Sequence, residues 1–407
     1  GDGSFIVTPD DRFLVIDAGQ GDNMYRFLRW RFNLKKRKND VVYVDTAVMS
    51  HPDSDHYAGF TYLVKSKNFR FRRVYHNGIV ERANKKEPLG ARIPQKRTHV
   101  PTVADLDALN AVLANAEDVK GKGYPGLLQS FLECADDIRM VSSNDGFLPD
   151  YEEDKELSLE VLAPVPEMLG AKQGLRWFTD PGKTKNGHSV VLKLRYKKLT
   201  MLLGGDLNIP AEHYLLGHYT GLDAANDPED DVVEKARERF QVEIAKACHH
   251  GSADFSLAYL RAVNPLVTIV SSGDDEPHCH PRPDALGAFG RYSRGERPLI
   301  FSTELARSSK ELIKDPTVLR KKLKDLSQAC ADAKTDEARA KAEARYVKAL
   351  DEIERSVATY GMITVRSDGD RVVIAQKLET PRPNGDRWDL HPFERPDGEE
   401  LQYQAKH

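Results

Sequence analysis

Apolar and polar positions change their period several times along the chain, and each change marks an element. Residues 4–7 (SFIV) and 13–16 (FLVI) are short β-rich runs separated by Pro9, Asp10 and Asp11, which predicts a hairpin. Residues 22–38 have helical spacing with a basic face. Residues 41–49 (VVYVDTAVM) form a continuous apolar run, the mark of a strand covered on both faces, and deliver the chain to His51. A short helix over 58–65 and a strand over 71–75 follow. Residues 80–185 are rich in polar, Pro and Gly residues and read as an insertion, with helices near 103–116 and 126–134. Strand patterns return at 157–163, 189–196 and 199–204, with a turn at Asn186-Gly187 and a tight hairpin turn at Lys197-Lys198. An amphipathic helix over 231–246 runs into a strand ending at Cys248, and 266–272 (LVTIVSS) is a further buried strand.

From 304 to 357 the composition shifts to Ala, Lys, Glu, Asp and Leu at helical spacing, predicting a helical hairpin or short coiled coil. Residues 361–366 and 371–376 form a closing hairpin around Ser367-Asp368-Gly369, and the polar tail from 379 is expected to be loosely held. The alternation of strands and helices argues for an α/β sandwich. The domain reading is a core of 1–303 plus 358–378, interrupted at about 80–185, with a hairpin at 304–357 and a tail at 379–407.

The length of 407 residues permits one large core with insertions, or two domains. Charge is balanced, with 60 Lys and Arg against 63 Asp and Glu, so overall charge does not point to nucleic acid and local clusters must. Cys134, Cys248, Cys279 and Cys330 lack paired spacing, which fits a reducing cytoplasm better than a disulfide framework. No run of about eighteen apolar residues predicts a membrane span, and no signal peptide is recognisable. The chain opens without Met and inside a strand-like run, so residues are expected to precede it.

The strongest chemical signal is His51-Pro52-Asp53-Ser54-Asp55-His56, two imidazoles and two carboxylates directly after a buried strand. A loop leaving a strand end can aim such side chains at one point, and the mixture suits Zn²⁺, Mn²⁺ or Fe²⁺, its carboxylates tilting it toward harder ions. The bland alternative is a polar turn with capping aspartates. Three weaker signals also follow strands: Gly205-Asp206, Cys248-His249-His250-Gly251-Ser252, and His278-Cys279-His280-Pro281. Each alone reads as an ordinary turn or a structural histidine, and it is their recurrence that points to a site.

Asp17 in IDAG, HPDSDH, NGHS at 186–189, GGD at 204–206, HHGS and HCHP together resemble the metallo-β-lactamase fold. More narrowly, the chain resembles the hydrolase domain of ComEC-type DNA-uptake proteins and their soluble relatives, over roughly 1–76, 157–290 and 361–376. The resemblance implies an αββα sandwich with a helical insertion and a C-terminal helical hairpin. It implies two divalent ions, Zn²⁺ or Mn²⁺: His51 and Asp53 on one, Asp55 and His56 on the other, and Asp206 bridging. His249 or His250 would complete the second site, and His188 or Asn186 would contribute to the first. Asp17 would orient the ligand loop, Asp55 or Asp53 would act as general base, and His280 and Ser252 would contact a scissile phosphate. One departure is Asp53, which stands where the family's usual HxHxDH has His.

The resemblance makes a nuclease, with DNA favoured, the expected activity, including a role as a phage-defence effector or in DNA processing. Arg29, Arg31, Lys35, Lys36 and Arg37, interleaved with Trp30 and Phe32, and Arg70, Arg72 and Arg73, beside Phe69 and Phe71, are the candidate nucleic-acid residues. Their alternative is a solvated helix face and an edge strand with outward arginines. Other readings are hydrolysis of a small phosphodiester such as a cyclic nucleotide, or a degenerate, partner-regulated binding module. The 304–357 hairpin is a candidate docking element for a regulatory protein, or a cover over the sheet edge.

Overall fold

Strand Phe13–Ala18 shows how the sequence sets the layers. Leu14 and Ile16 point to one side and Val15 to the other, and all three are buried. Each such side chain contributes roughly 1.5–3 kcal/mol. A strand apolar on both sides must lie between two layers. In the computed structural model this strand belongs to a five-stranded sheet, ordered Gly3–Val7, Phe13–Ala18, Val42–Met49, Phe69–His76, Ala135–Met140. The first pair is antiparallel and the rest are parallel. The structure describes residues 1–93, 98–273, 278–295, 297–303, 316–359, 362–378, 382–396, 398 and 400–405.

A second sheet runs Leu299–Ser302, Val267–Val270, Ile244–Lys246, Leu199–Leu203, Val191–Tyr196, Leu157–Ala163. Its first four strands are parallel and its last two pairings antiparallel. The sheets face each other through Leu14, Ile16 and Val48 from the first and Leu159, Val161, Leu192 and Leu203 from the second. Helices Asn23–Arg31, Phe60–Val64 and Gly123–Phe131 cover the outer face of the first sheet. Helices Ile209–Thr220, Glu229–Phe240 and Leu257–Val263 cover that of the second. The result is the four-layer α/β sandwich that the alternation predicts. In each sheet the parallel strands end at one edge, and the motif loops leave from there.

Three sequence expectations change. Much of 80–185 is woven into the core. Strand Ala135–Met140 completes the first sheet, Leu157–Ala163 completes the second, and Leu109, Leu127, Leu128 and Phe131 pack in the first sheet's outer core. The added part is a small sheet of His99–Pro101, Lys172–Arg176 and Glu167–Leu169. The tail is anchored as well: Trp388–Glu394 and Gln402–Tyr403 extend the predicted closing hairpin, Ile363–Ser367 and Val372–Lys377, into four strands. Val372, Ile374, Phe393 and Leu401 seal against Leu199, Ile244 and Val267, the first residues of second-sheet strands. A tail poor in apolar residues thus holds because its few large ones meet one hydrophobic seam. Asn186 and Gly187 end a helix, Pro181–Gly187, rather than forming a free turn.

The predicted hairpin is observed as Pro316–Ala331 and Asp336–Thr359, which pair with each other, the second also running beside Asn23–Arg31. Residues 304–315 of that expectation lie outside the described residues. Among the described residues no helix is long and apolar enough to cross a membrane.

Candidate metal centre

The loops at the common edge bring the predicted residues together around Asp206. Its Oδ1 lies 3.1 Å from His56 Nε2, and its Oδ2 lies 3.6 Å from His250 Nε2, 3.8 Å from His51 Nε2 and 3.9 Å from His249 Nε2. One carboxylate thus faces four imidazoles. On one side His51 Nε2 also faces Asp53 Oδ2 at 3.7 Å. On the other, His250 Nε2 stands 3.0 Å from Asp55 Oδ2 and 3.3 Å from His56 Nε2.

Each side chain is aimed by a partner behind it. Asp17 accepts from the Ser50 N–H (2.7 Å) and Ser50 Oγ (2.6 Å), and its Oδ2 lies 2.8 Å from His56 Nδ1. That fixes the His56 ring with Nε2 toward Asp206, the orienting task expected of Asp17. Ser50 Oγ (3.0 Å) and Ser189 Oγ (3.2 Å) meet His51 Nδ1, and Ser189 Oγ also accepts from the Asp206 N–H (3.0 Å). The Ser271 carbonyl holds His250 Nδ1 at 3.0 Å. Asp53 meets the Lys185 ammonium, and Asn186, with its amide nitrogen turned toward Asp53, donates to Oδ2 at 2.9 Å.

The backbone is bent to make this possible. His249 (φ 49°) and His250 (φ 54°) are both left-handed, as are Asp17 (φ 52°) and Cys279 (φ 58°). Such conformations cost of order 1–3 kcal/mol each and persist where surroundings enforce them. Here the His249 N–H donates to the Gly205 carbonyl (3.0 Å), tying the HHGS turn to the GGD turn. Gly59 lets the HPDSDH loop close on the first sheet, because a Cβ there would lie 2.0 Å from the Ala18 carbonyl oxygen.

The electrostatics call for a cation. Burial lowers His51 to about 4, so it is neutral and ready to ligate, and its Nε2 is buried without a hydrogen-bond partner. Burial also opposes charge on His56 and His250, yet Asp206 and its neighbouring carboxylates push both up, His250 to about 9. Burial would raise Asp206 and Asp55, but the adjacent imidazoles hold both well below the usual carboxylate range. Two Nε2 atoms 3.3 Å apart cannot both carry protons comfortably, whereas one divalent ion between them satisfies both rings and the carboxylates. The donor set of His and Asp therefore fits first-row divalent metals.

The spacing also points wrongly in one place. His188 is buried, stacks on Phe178 (4.7 Å, 21°) and meets the Arg176 carbonyl through Nε2 at 2.7 Å. Its ring is thereby committed away from Asp206, and its neighbour Ser189 serves the site instead. Ser252 Oγ accepts from the Asp254 N–H at 3.2 Å. His280 lies beside the cluster, its ring 5.5 Å from His249 and stacked with His278 at 5.8 Å.

Sequence reasoning missed Asp2, Ser50, Ser189, Lys185 and Lys246. Asp2 is 2% exposed, with Oδ1 3.3 Å from His250 Nδ1, and pairs with the buried Lys246. Asp2, His56, Asp206 and His250 each offer a ligand atom within 4.8 Å of the others. The only signal for Asp2 was its place in the opening GDGS. Ser189 lay in the NGHS motif beside the wrongly favoured His188.

The candidate basic residues of the first sheet sit at different depths behind this edge. Phe69–His76 is an inner strand, and its register pairs Arg70 with Tyr43 but His76 with Met49. Six residues of strand separate Arg70 from the site edge, roughly 20 Å. Arg37 pairs with Asp40, Arg72 with Asp45 and Arg73 with Asp150. Arg31 sits over the Phe32 ring at 6.0 Å.

The family model of the metallo-β-lactamase superfamily matches residues 4–251. The chain belongs to the metallo-β-lactamase superfamily. The match takes in the strands of the first sheet, the strands Leu157–Ala163, Val191–Tyr196, Leu199–Leu203 and Ile244–Lys246 of the second, and the motif residues from Asp17 to His250. Among solved structures, the chain is similar to a metallo-β-lactamase of Cronobacter sakazakii with a HARLDQ motif (14% identity, 60% of this chain and 69% of that one, TM-score 0.27). It is also similar to a motif mutant of that protein (16%, 60% and 71%, TM-score 0.27). A third is MEM-A1, a subclass B3 metallo-β-lactamase isolated from a soil metagenome library (13%, 88% and 89%, TM-score 0.25). The comparison with curated proteins gave no match. The superfamily fold together with this cluster gives a metal-dependent hydrolase.

Proposed function

We propose that the protein is a metal-dependent phosphodiesterase, with DNA as the first substrate to test. The observation that carries the reading is Asp206 facing His51, His56, His249 and His250 at one edge of the sandwich, with Asp53 and Asp55 beside them. His51, Asp53 and Asp206 would hold one ion, and Asp55, His56, His250 and Asp206 a second. Zn²⁺ and Mn²⁺ both suit such a set. Divalent ions held there would supply Lewis-acid charge to the phosphate and to the attacking water. Asp55, partly exposed and 3.0 Å from His250 Nε2, would orient that water and accept its proton. His280, its ring 5.5 Å from that of His249, would donate a hydrogen bond to a phosphate oxygen.

The same structure supports a second reading for the substrate. Of the candidate DNA-tracking arginines in the first sheet, Arg70 lies toward the end away from the site, and Arg72 and Arg73 are ion-paired, which favours a small phosphodiester bound at the edge alone. Helix Asp336–Thr359 runs beside Asn23–Arg31, which supports a covering role for the hairpin; partner docking there remains a proposal.

The deciding experiment is a Zn²⁺, Mn²⁺ and chelator panel against single- and double-stranded DNA, RNA, a cyclic dinucleotide and bis-p-nitrophenyl phosphate, with Asp55→Ala as control. Metal-dependent cleavage of a phosphodiester, absent in the variant, supports the reading. Hydrolysis that survives thorough metal removal defeats it.

A further inference from the structure

The cluster contains a cation of its own. Lys246 ends strand Ile244–Lys246, is 8% exposed, and its ammonium meets Asp2 Oδ2. Three residues further on, the same strand exit becomes the His249–His250 turn, so the lysine is built into the wall of the site. An ammonium out of water is unfavourable unless answered by charge. Burial works against it, and the carboxylates of Asp2 and Asp206 keep Lys246 charged. Asp2 is held in turn by its backbone, whose N–H donates to the Asp55 carbonyl at 3.0 Å. A ligand atom of Asp2 thus lies within 4.8 Å of those of His56, Asp206 and His250, its oxygens facing Nδ1 of His250 (3.3 Å) and of His56 (3.9 Å), but the carboxylate is already taken by a resident positive charge.

Resting on the metal-centre reading above, we propose that Lys246 withholds Asp2 from the metal ions. The ammonium occupies the place on the Asp2 carboxylate that a divalent cation would otherwise take, and leaves Asp53, Asp55 and Asp206 as the ligating carboxylates. Lys246 is thus a positioning residue that limits the negative charge presented to the ions and so sets how tightly they are held. Removing the ammonium releases a carboxylate toward His56 and His250 and strengthens metal binding. Removing ammonium and carboxylate together leaves the ligand set as it is.

The test measures Zn²⁺ and Mn²⁺ affinity and stoichiometry by competition with a fluorescent chelator. The proteins are the wild type, Lys246→Met and Asp2→Asn/Lys246→Met, with circular dichroism to establish that each is folded. The expected result is at least tenfold tighter binding by Lys246→Met, with the double variant within tenfold of wild type and holding the same number of ions. A smaller gain or a loss in folded Lys246→Met overturns the proposal. So does a double variant that loses a metal equivalent or binds more than tenfold weaker, because Asp2 then ligates or aims a ligand itself. If Lys246→Met alone fails to fold, the double variant, in which both buried charges leave together, decides. A wild-type protein that binds no divalent metal defeats the metal-centre reading itself, a result separate from any difference among variants.

Discussion

Glu212 lies 0% exposed in the first turn of helix Ile209–Thr220, directly after the GGD turn. One oxygen accepts from the Ser256 N–H, which pins the loop that follows HHGS, and the other has no partner. Burial, reinforced by Asp254, pushes this carboxyl up to about 8 from an ordinary 4.5. The folded state therefore keeps its proton to higher pH than the unfolded chain does. Stability must fall as pH rises from about 4.5 to about 8 and level off above, with no further loss from this group. At 1.36 kcal/mol per unit the interval amounts to roughly 5 kcal/mol at most. Glu212→Gln keeps the shape and the acceptor oxygen but cannot ionise. Urea unfolding of the metal-free protein, followed by tryptophan fluorescence at pH 5 to 9, should give a wild-type minus variant difference that is smallest at pH 5. That difference should grow in the variant's favour by about 1 kcal/mol per unit and flatten near pH 8 to 9. Curves that stay parallel across the range would refute the claim that Glu212 is buried and protonated.

Other outcomes follow from the site. Asp55→Ala should lower turnover of bis-p-nitrophenyl phosphate by about 10²- to 10⁴-fold while the far-ultraviolet dichroism stays native. His188→Ala should cost about 2–4 kcal/mol of stability, from the lost Phe178 stack and Arg176 bond, and leave metal stoichiometry unchanged. Gly59→Ala should destabilise the fold and weaken metal binding together, since backbone at Ala18 must move to admit the new carbon; an unaltered melting temperature and affinity would contradict this. Raising salt from 50 to 200 mM should leave kcat/KM nearly constant if a small phosphodiester is the substrate, and depress it by orders of magnitude if a polymer must be tracked.

The parts of this site that could be read from sequence were those where chemistry is local. Six consecutive positions carry His51, Asp53, Asp55 and His56, and a strand before them fixes where they emerge. Asp206 and His250 were legible only through their positions after strands, and no spacing distinguished His249 from His250. Geometry separates them: His250 Nε2 faces Asp55 and His56, while His249 Nε2 lies 3.9 Å from Asp206 Oδ2 with its ring beside His280. His188 misled because neighbouring side chains at the end of a short helix point apart, and adjacency in sequence does not say which enters a site. Asp2 and Lys246 were invisible because a single buried ion pair between distant segments leaves no pattern. Arg70, Arg72 and Arg73 drew attention as a cluster, and the parallel register sets them at different depths along one strand, Arg70 farthest from the site edge and Arg73 three residues from it. In the fold, strands flanked by turns were legible, whereas Ala135–Met140, with its mixed pattern ADDIRM, was hidden by having few apolar residues.

The consecutive left-handed residues at His249 and His250 restrict which replacements are informative. Alanine pays a steric penalty at positive φ that glycine avoids and that asparagine and histidine bear comparatively well. An alanine scan through the HHGS turn would mix a missing imidazole with a backbone forced toward another shape, and would overstate what each ring contributes. Asparagine is the cleaner blank at these two positions, since it removes the ring nitrogen while tolerating the handedness that aims it.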